Sequence, residues 1–334
     1  MSAILHPRRP ERMGPNGPRT RREGVPPSPH GVAEMTHAIV CDDLMKHFGP
    51  VRAVDGISFT VDAGEVVGFL GPNGAGKTTT IRMLLDIVRP TSGRVEVLGT
   101  DPRRAGAALR LRVGYVPGDL ALYEHLTGRQ LFELFAALRH QRDLTAYVEM
   151  AERLDVALDR PVGTLSRGNR QKIGVVQALA PGPELLVLDE PTSGLDPIVQ
   201  REFRALVREA VDRGAAVLLS SHVLAEVQRT ADRVAIIRSG RLVAVDPVRE
   251  LEAKALRVVE IRFAGHVPAA AFEDLPGVRE ITVEGDLVRA SVAGPVDALV
   301  KAASQFTVDS IAGHEADLED VFLAYYGSTT DGVA

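Results

Sequence analysis

The sequence predicts an α/β fold on a mostly parallel sheet, followed by a small α+β domain. Three observations carry this. Val66–Leu70 is a continuous apolar run, as a strand buried on both faces requires, and a glycine-rich loop and an amphipathic stretch follow it at once. Leu185–Leu188 and Val217–Leu219 are further short apolar runs ended by polar residues. From about Leu251 the pattern changes to the order β-α-β-β-α-β, that of a split βαβ unit.

Taken in order, residues 1–34 stand apart. They hold seven prolines and six arginines, from Pro7 to Pro29, with almost no apolar periodicity. Such a segment cannot bury enough surface to fold. It has no apolar core of a secretory signal. The expectation is a disordered tail, or a chain start placed too early with Met35 the true one. After the loop at 71–79, Ile81, Leu84, Leu85 and Val88 fall on one face of a helix, and Leu131, Leu134, Phe135 and Leu138 repeat that spacing. Val234–Ile237 and Leu242–Val245 flank Ser239-Gly240 as a hairpin. Beyond 251, Leu256–Phe263 reads as a strand and Pro268–Leu275 as a short helix. Val278–Val283 and Leu287–Val292 read as a hairpin turning at Gly285-Asp286. Val296–Phe306 reads as a helix, Val308–Ile311 as a strand and Leu318–Tyr326 as a closing helix. The expected domains are therefore 35–248 and 251–327, with a short tail at 328–334.

The bulk numbers narrow the class. The chain has 334 residues, 45% hydrophobic and 25% charged, with net charge −5. That balance argues against a general nucleic-acid binder. No apolar run approaches the ~18 residues of a membrane span, so any membrane work needs another chain. The one cysteine, Cys41, has no internal disulfide partner and fits a reducing cytoplasm. It reads as a small core residue.

Gly71, Pro72, Asn73, Gly74, Ala75, Gly76, Lys77, Thr78 and Thr79 match G-x-x-x-x-G-K-[ST] at every fixed position, between a strand and a helix. Glycines let successive N–H groups turn inward toward phosphate oxygens, and the helix N-terminus adds partial positive charge. Lys77 can reach the β- and γ-phosphates, and the Thr78 hydroxyl can ligate Mg²⁺. ELLVLDEP, from Glu184 to Pro191, is an apolar strand ending in two carboxylates. Asp189 can orient the Mg²⁺ shell, and Glu190 can polarise a water for in-line attack. TLSRGNRQK, from Thr164 to Lys172, looks like a second anion site, a serine and a glycine opening a helix.

Together these motifs resemble the nucleotide-binding ATPase subunit of an ABC transporter, over about His37 to Asp246. The resemblance implies a P-loop NTPase fold of the ABC-ATPase type, with a helical subdomain, ATP and Mg²⁺ as ligands, and ATP hydrolysis coupled to transport. Phe48 matches the aromatic that stacks on adenine. Gly71–Thr79 matches the Walker A loop and Leu185–Glu190 Walker B. Ser166, Arg167, Gly168 and Asn169 fall in the signature loop. Ser193, Gly194, Leu195 and Asp196 match the D-loop, and His222 the switch histidine. In the family two ATPase domains meet head to tail, so the resemblance implies a homodimer. Ser166 and Gly168 would then serve the partner's ATP, which accounts for a second anion loop. It also implies a separate multi-span permease and a cytoplasmic place at the inner face of the membrane. No nucleic-acid partner is expected. VPGDLALYEHLTG and ADLEDVFLAYYG resemble the branch serving drug and antibiotic exporters.

Two departures stand out. The signature is usually Leu-Ser-Gly-Gly-Gln, and here Arg167 and Asn169 replace the first glycine and the glutamine. The family's Q-loop glutamine is absent, with Gly118 and Asp119 at that position. Asp119 or a water is expected to take its polar role. His37, His47, His125, His140, His266 and His314 show no metal-ligand spacing. A single Walker A loop, and only about a hundred residues before Walker B, argue against the tandem ribosomal and coiled-coil DNA-binding types. An ATP-sensing module without turnover is the non-enzyme alternative; the intact Glu190 argues against it, and the missing Q-loop glutamine keeps it open.

Overall fold

The computed structural model describes residues 37–254, 256–272 and 274–314. Two long strands come first, β1 (His37–Phe48) and β2 (Val51–Asp62), paired antiparallel. Then follow β3 (Val66–Leu70), α1 (Lys77–Leu84), β4 (Ser92–Val97), α2 (Pro102–Arg112) and β5 (Val113–Val116). A helical stretch comes next: α3 (Gly128–Leu138), α4 (Thr145–Arg153), a 3-10 turn at Val162–Thr164 and α5 (Arg167–Leu179). The chain continues through β6 (Leu185–Asp189), α6 (Pro197–Asp212), β7 (Ala216–Ser221), α7 (Leu224–Thr230), β8 (Arg233–Arg238), β9 (Arg241–Pro247) and α8 (Val248–Lys254). The last described part holds β10 (Leu256–Phe263), a 3-10 turn at Ala269–Phe272, β11 (Val278–Glu284), β12 (Leu287–Ala293), α9 (Asp297–Ala303) and β13 (Val308–His314).

These strands make three sheets. The largest has the order β5-β6-β7-β3-β8-β9. Its first five strands run parallel, and β9 closes the edge antiparallel as the hairpin partner of β8. β3, β6 and β7 are buried at every residue, because helices cover one face and a second sheet the other. That second sheet is β2-β1-β4. Its apolar side, with Ile39, Val54, Ile57 and Val97, packs with Val67, Phe69, Val187 and Leu218 of the parallel sheet. Phe59 stacks on Phe69 at 5.5 Å. Cys41 lies in this layer as a free, buried thiol, and burial pushes its pKa up. The opposite face packs against α3 to α7, with Phe132, Tyr147, Ile173, Phe203 and Val227 in one apolar cluster. The four-stranded sheet has the order β11-β12-β10-β13, antiparallel throughout. It has its own core of Ile261, Phe263, Phe272, Val288 and Leu299.

Several local expectations change. The first helix stops at Leu84 rather than reaching Val88. Leu85 N–H bonds to the Ile81 carbonyl and Asp86 N–H to that of Met83, and Asp86 turns left-handed at φ 52. Val88 still packs on the core. Residues 268–275 give only the 3-10 turn at 269–272, as Pro268 and the positive φ of Asp274 and Gly277 leave little room for a longer helix. The β2-β1-β4 sheet is not legible from periodicity, because irregular register between β1 and β2 breaks the alternation. The expected closing helix at 318–326 and the 1–34 segment lie outside the described residues.

Candidate active site

The glycine-rich loop leaves the end of β3 and turns into α1. Gly76, the residue before α1, has φ 113, and a Cβ there would stand 2.5 Å from the Ala53 carbonyl oxygen. Only glycine fits. No side chain caps α1, so its first N–H groups face the loop with the helix dipole behind them. Lys77 follows at once and is buried. Its Nζ donates to the Gly71 carbonyl at 2.6 Å and to that of Pro72 at 3.3 Å, and lies 3.5 Å from Glu190 Oε1. The lysine is thus parked over the loop, compensated by a carboxylate.

Asp189 ends β6 at the mouth of this loop. Thr78 Oγ1 donates to its Oδ2 at 2.8 Å, and Ser220 of β7 donates to Oδ1. A hydroxyl and a carboxylate side by side are hard oxygen donors, which fits Mg²⁺ held partly by substrate phosphates. Glu190 breaks from the strand direction, at φ 52. Its N–H donates to the Ser220 carbonyl at 3.1 Å, and its own carbonyl accepts from Ser193 N–H at 3.2 Å. His222 Nδ1 lies 2.6 Å from Glu190 Oε2. A carboxylate only accepts, so the imidazole N–H donates. Glu190 therefore sits between the Lys77 ammonium and the His222 ring.

Lys77, Asp189, Glu190 and His222 line one cavity of about 440 Å³, together with Pro72, Asn73, Gly74, Gly76, Thr78, Thr79, Gly118, Asp119, Arg167 and Ser193, whereas Gly71 and Ala75 of the loop do not. The strands explain the meeting: β3, β6 and β7 are neighbours, and their carboxyl ends carry Gly71, Asp189 and His222 to one edge. Ala53 and Arg82 also line the cavity, and nothing in the sequence singled them out; Tyr115 and Pro117, from the strand that leads to Gly118, line it as well. Tyr115 is held neutral, its hydroxyl pushed up to about 12 by burial and by the charge of Asp189. Glu226 of α7 was missed as well; it accepts from Thr192 Oγ1 at 2.8 Å and Ser221 Oγ at 2.9 Å, pinning the chain on both sides of the site.

Other predicted residues lie apart. Phe48 ends β1 half-exposed, with Lys46 Nζ 4.8 Å above its ring, and does not line the cavity. Ser166 is exposed and caps α5, accepting from Asn169 N–H at 3.3 Å. Ser166, Gly168 and Asn169 do not line the cavity, although Arg167 between them does. Gly194 and Leu195 lie outside it too, and Asp196 caps α6, accepting from Ile198 and Val199 N–H.

Comparison with known proteins follows the same lines. The model of the ABC transporter family matches residues 54–193. The daunorubicin resistance ATP-binding protein DrrA3 of Streptomyces coeruleorubidus is 39% identical over 87% of this chain and 96% of its own length. The bacitracin transport ATP-binding protein BcrA of Bacillus licheniformis is 34% identical over 89% of this chain and all of its own. The Nod factor export ATP-binding protein I of Paraburkholderia xenovorans is 36% identical over 87% and 97%. A solved ATP-binding subunit of an ABC transporter is 29% identical with TM-score 0.59, covering 64% of this chain and 92% of its own. A nucleotide-free ATP-binding cassette, 22% identical with TM-score 0.54, shares the fold. On the strength of those full-length relatives, the chain belongs to the ABC transporter family, among its ATP-binding proteins.

Proposed function

We propose that this chain is the ATP-hydrolysing subunit of an exporter, with Glu190 as the base. The observation that carries the reading is the Glu190 carboxylate, set between Lys77 and His222 at the end of the phosphate loop. The loop N–H groups from Gly74 to Thr78 hold the β- and γ-phosphates, and Lys77 exchanges its carbonyl contacts for phosphate oxygens. Thr78 and Asp189 are the side chains that would hold Mg²⁺, which when bound neutralises charge on the phosphates. Glu190 takes the proton of the attacking water as its oxygen bonds to the γ-phosphorus and the bridging P–O bond breaks. His222 keeps the carboxylate aimed, and Asp119, at the mouth of the cavity, takes the polar place of the family's glutamine.

The chain works as a homodimer. Ser166 lies outside its own cavity at a helix N-terminus, so it is available to the γ-phosphate held by a second copy. Among the described residues no helix is long and apolar enough to cross a membrane. The transported molecule therefore passes through a separate multi-span partner, and the relatives' roles in drug resistance, bacitracin transport and Nod factor export make export the direction. The reading puts the chain's working place at the inner face of the membrane, beside that partner. The ATPase part comprises residues 35–248, and we assign the region 251–327 an accessory role.

The test is Glu190→Gln. Turnover falls by about 10²- to 10⁴-fold, the usual share of a general base, while Mg-ATP still binds and drives dimerisation seen by light scattering. Turnover within about tenfold of wild type would remove Glu190 from the role.

A further inference from the structure

We infer that Arg167 is a positioning residue that couples the two ATP sites of the dimer, through Ser193. The inference rests on the reading above, in which Ser166 and Gly168 serve the partner's ATP. Arg167 is the first residue of α5, directly after the capping Ser166. Its guanidinium donates to Ser193 Oγ at 3.4 Å, a long contact across to the segment after β6. Ser193 N–H in turn donates to the Glu190 carbonyl at 3.2 Å. Two hydrogen bonds therefore connect the loop that faces the partner's γ-phosphate with the base in this chain's own site.

The packing makes that connection tight at one end and adjustable at the other. A Cβ on Gly168 would stand 2.5 Å from the Gly194 carbonyl oxygen, so the two backbones touch and any side chain would part them. The stem of Arg167 lies across Gly194, with its Cγ 4.0 Å from where a Cβ would be. Deeper in, Gln171 Nε2 donates to the Pro191 carbonyl at 3.1 Å and anchors the body of α5 to the same segment. Gln171 is buried and fixed, whereas Arg167 is exposed, with further N–H donors unused by Ser193. A shift of the signature loop toward a γ-phosphate is therefore passed to Ser193 by the arginine rather than by the helix core.

Glu190 is the right receiver. Its left-handed φ of 52 persists only because neighbours over-determine it, with Ser193 on one side and Ser220 on the other. Displacing Ser193 changes the aim of the Glu190 carboxylate, while the Lys77 bond to the Gly71 carbonyl and the Thr78 bond to Asp189 do not run through Ser193. The link thus acts on turnover and on cooperativity.

The experiment uses the purified full-length chain and compares Arg167→Gly, Arg167→Lys, Ser193→Ala and the Arg167→Gly/Ser193→Ala double variant. The Hill coefficient for ATP falls from about 2 toward about 1, the limits for two sites, in both single variants. kcat falls about fivefold, the double variant is no worse than either single, and lysine restores part of the loss. Unchanged cooperativity in Arg167→Gly, or losses that multiply in the double variant, overturn the inference. Dimerisation of Glu190→Gln with Mg-ATP is measured alongside. If that dimer is absent, the shared-site reading fails and this inference with it; if it forms and the losses multiply, only the Arg167 link fails.

Discussion

At the scale of single residues, the site in this conformation is self-satisfied. Lys77 is neutralised by Glu190 and bonded to two loop carbonyls, and Thr78 is bonded to Asp189. On the proposed reading nucleotide displaces these contacts, so each residue is held in place by the group it would leave. Lys77→Ala removes a charged donor to phosphate, worth about 1.5–3 kcal/mol. Equilibrium binding of ATP should weaken by about ten- to a hundredfold; unchanged affinity would put the phosphates elsewhere. Gly76→Ala is a sharper test of the loop itself. The new Cβ meets the Ala53 carbonyl oxygen at a φ of 113 that side chains rarely adopt. ATP binding is expected to be lost, with a fall in stability of about 1–3 kcal/mol read by urea denaturation.

At the scale of elements, helix termini carry the motif residues, and two of these, Ser166 and Asp196, are structural caps. Asp196 accepts N–H bonds from Ile198 and Val199 at 3.0 Å each and opens α6, whose Phe203 and Leu206 enter the core. Those backbone bonds, Val199 first, hold its carboxyl below the usual range. Asp196→Ala should lower the denaturation midpoint by removing this cap, in addition to any effect on turnover. The helical stretch is tied to this same helix by Arg153 of α4, which donates to Glu202 at 2.7 Å and to Glu209 at 2.9 and 2.6 Å. Thr127 and Gln130 form a reciprocal capping box at the start of α3. TGRQ fits that box's sequence signature at Thr127, but no residue pattern pairs Arg153 with carboxylates some fifty positions later.

At the scale of the whole molecule, two long-range ion pairs set an acid limit. Arg112 holds the Glu184 carboxyl, and Arg153 the Glu209 carboxyl, below the ordinary glutamate value of 4.5. A carboxylate with depressed folded pKa stabilises fully above its unfolded pKa, and that contribution disappears as pH falls through the folded value. Unfolding free energy should therefore decline below about pH 4.5. The Glu184→Gln/Glu209→Gln variant should show a shallower decline over that window, with lower stability at pH 7. An identical acid limb in the variant would show that these exposed pairs are screened.

The residue types of the site and the strand-loop-helix order around Gly71–Thr79 were determined by the sequence alone, because phosphate loops and buried strands leave local signatures: glycines at steep turns, unbroken apolar runs, a lysine at a helix start. The hairpins at Gly240 and Gly285 were local in the same sense. What only the tertiary structure decided was adjacency. Parallel pairing of β3, β6 and β7 brings Lys77, Asp189, Glu190 and His222 to one cavity across more than a hundred residues of chain. It also sends Tyr115 and Arg167 into that cavity while leaving Ser166 outside it. Side chains at such separations meet through strand order and packing of the layers, and neither leaves a period in the sequence.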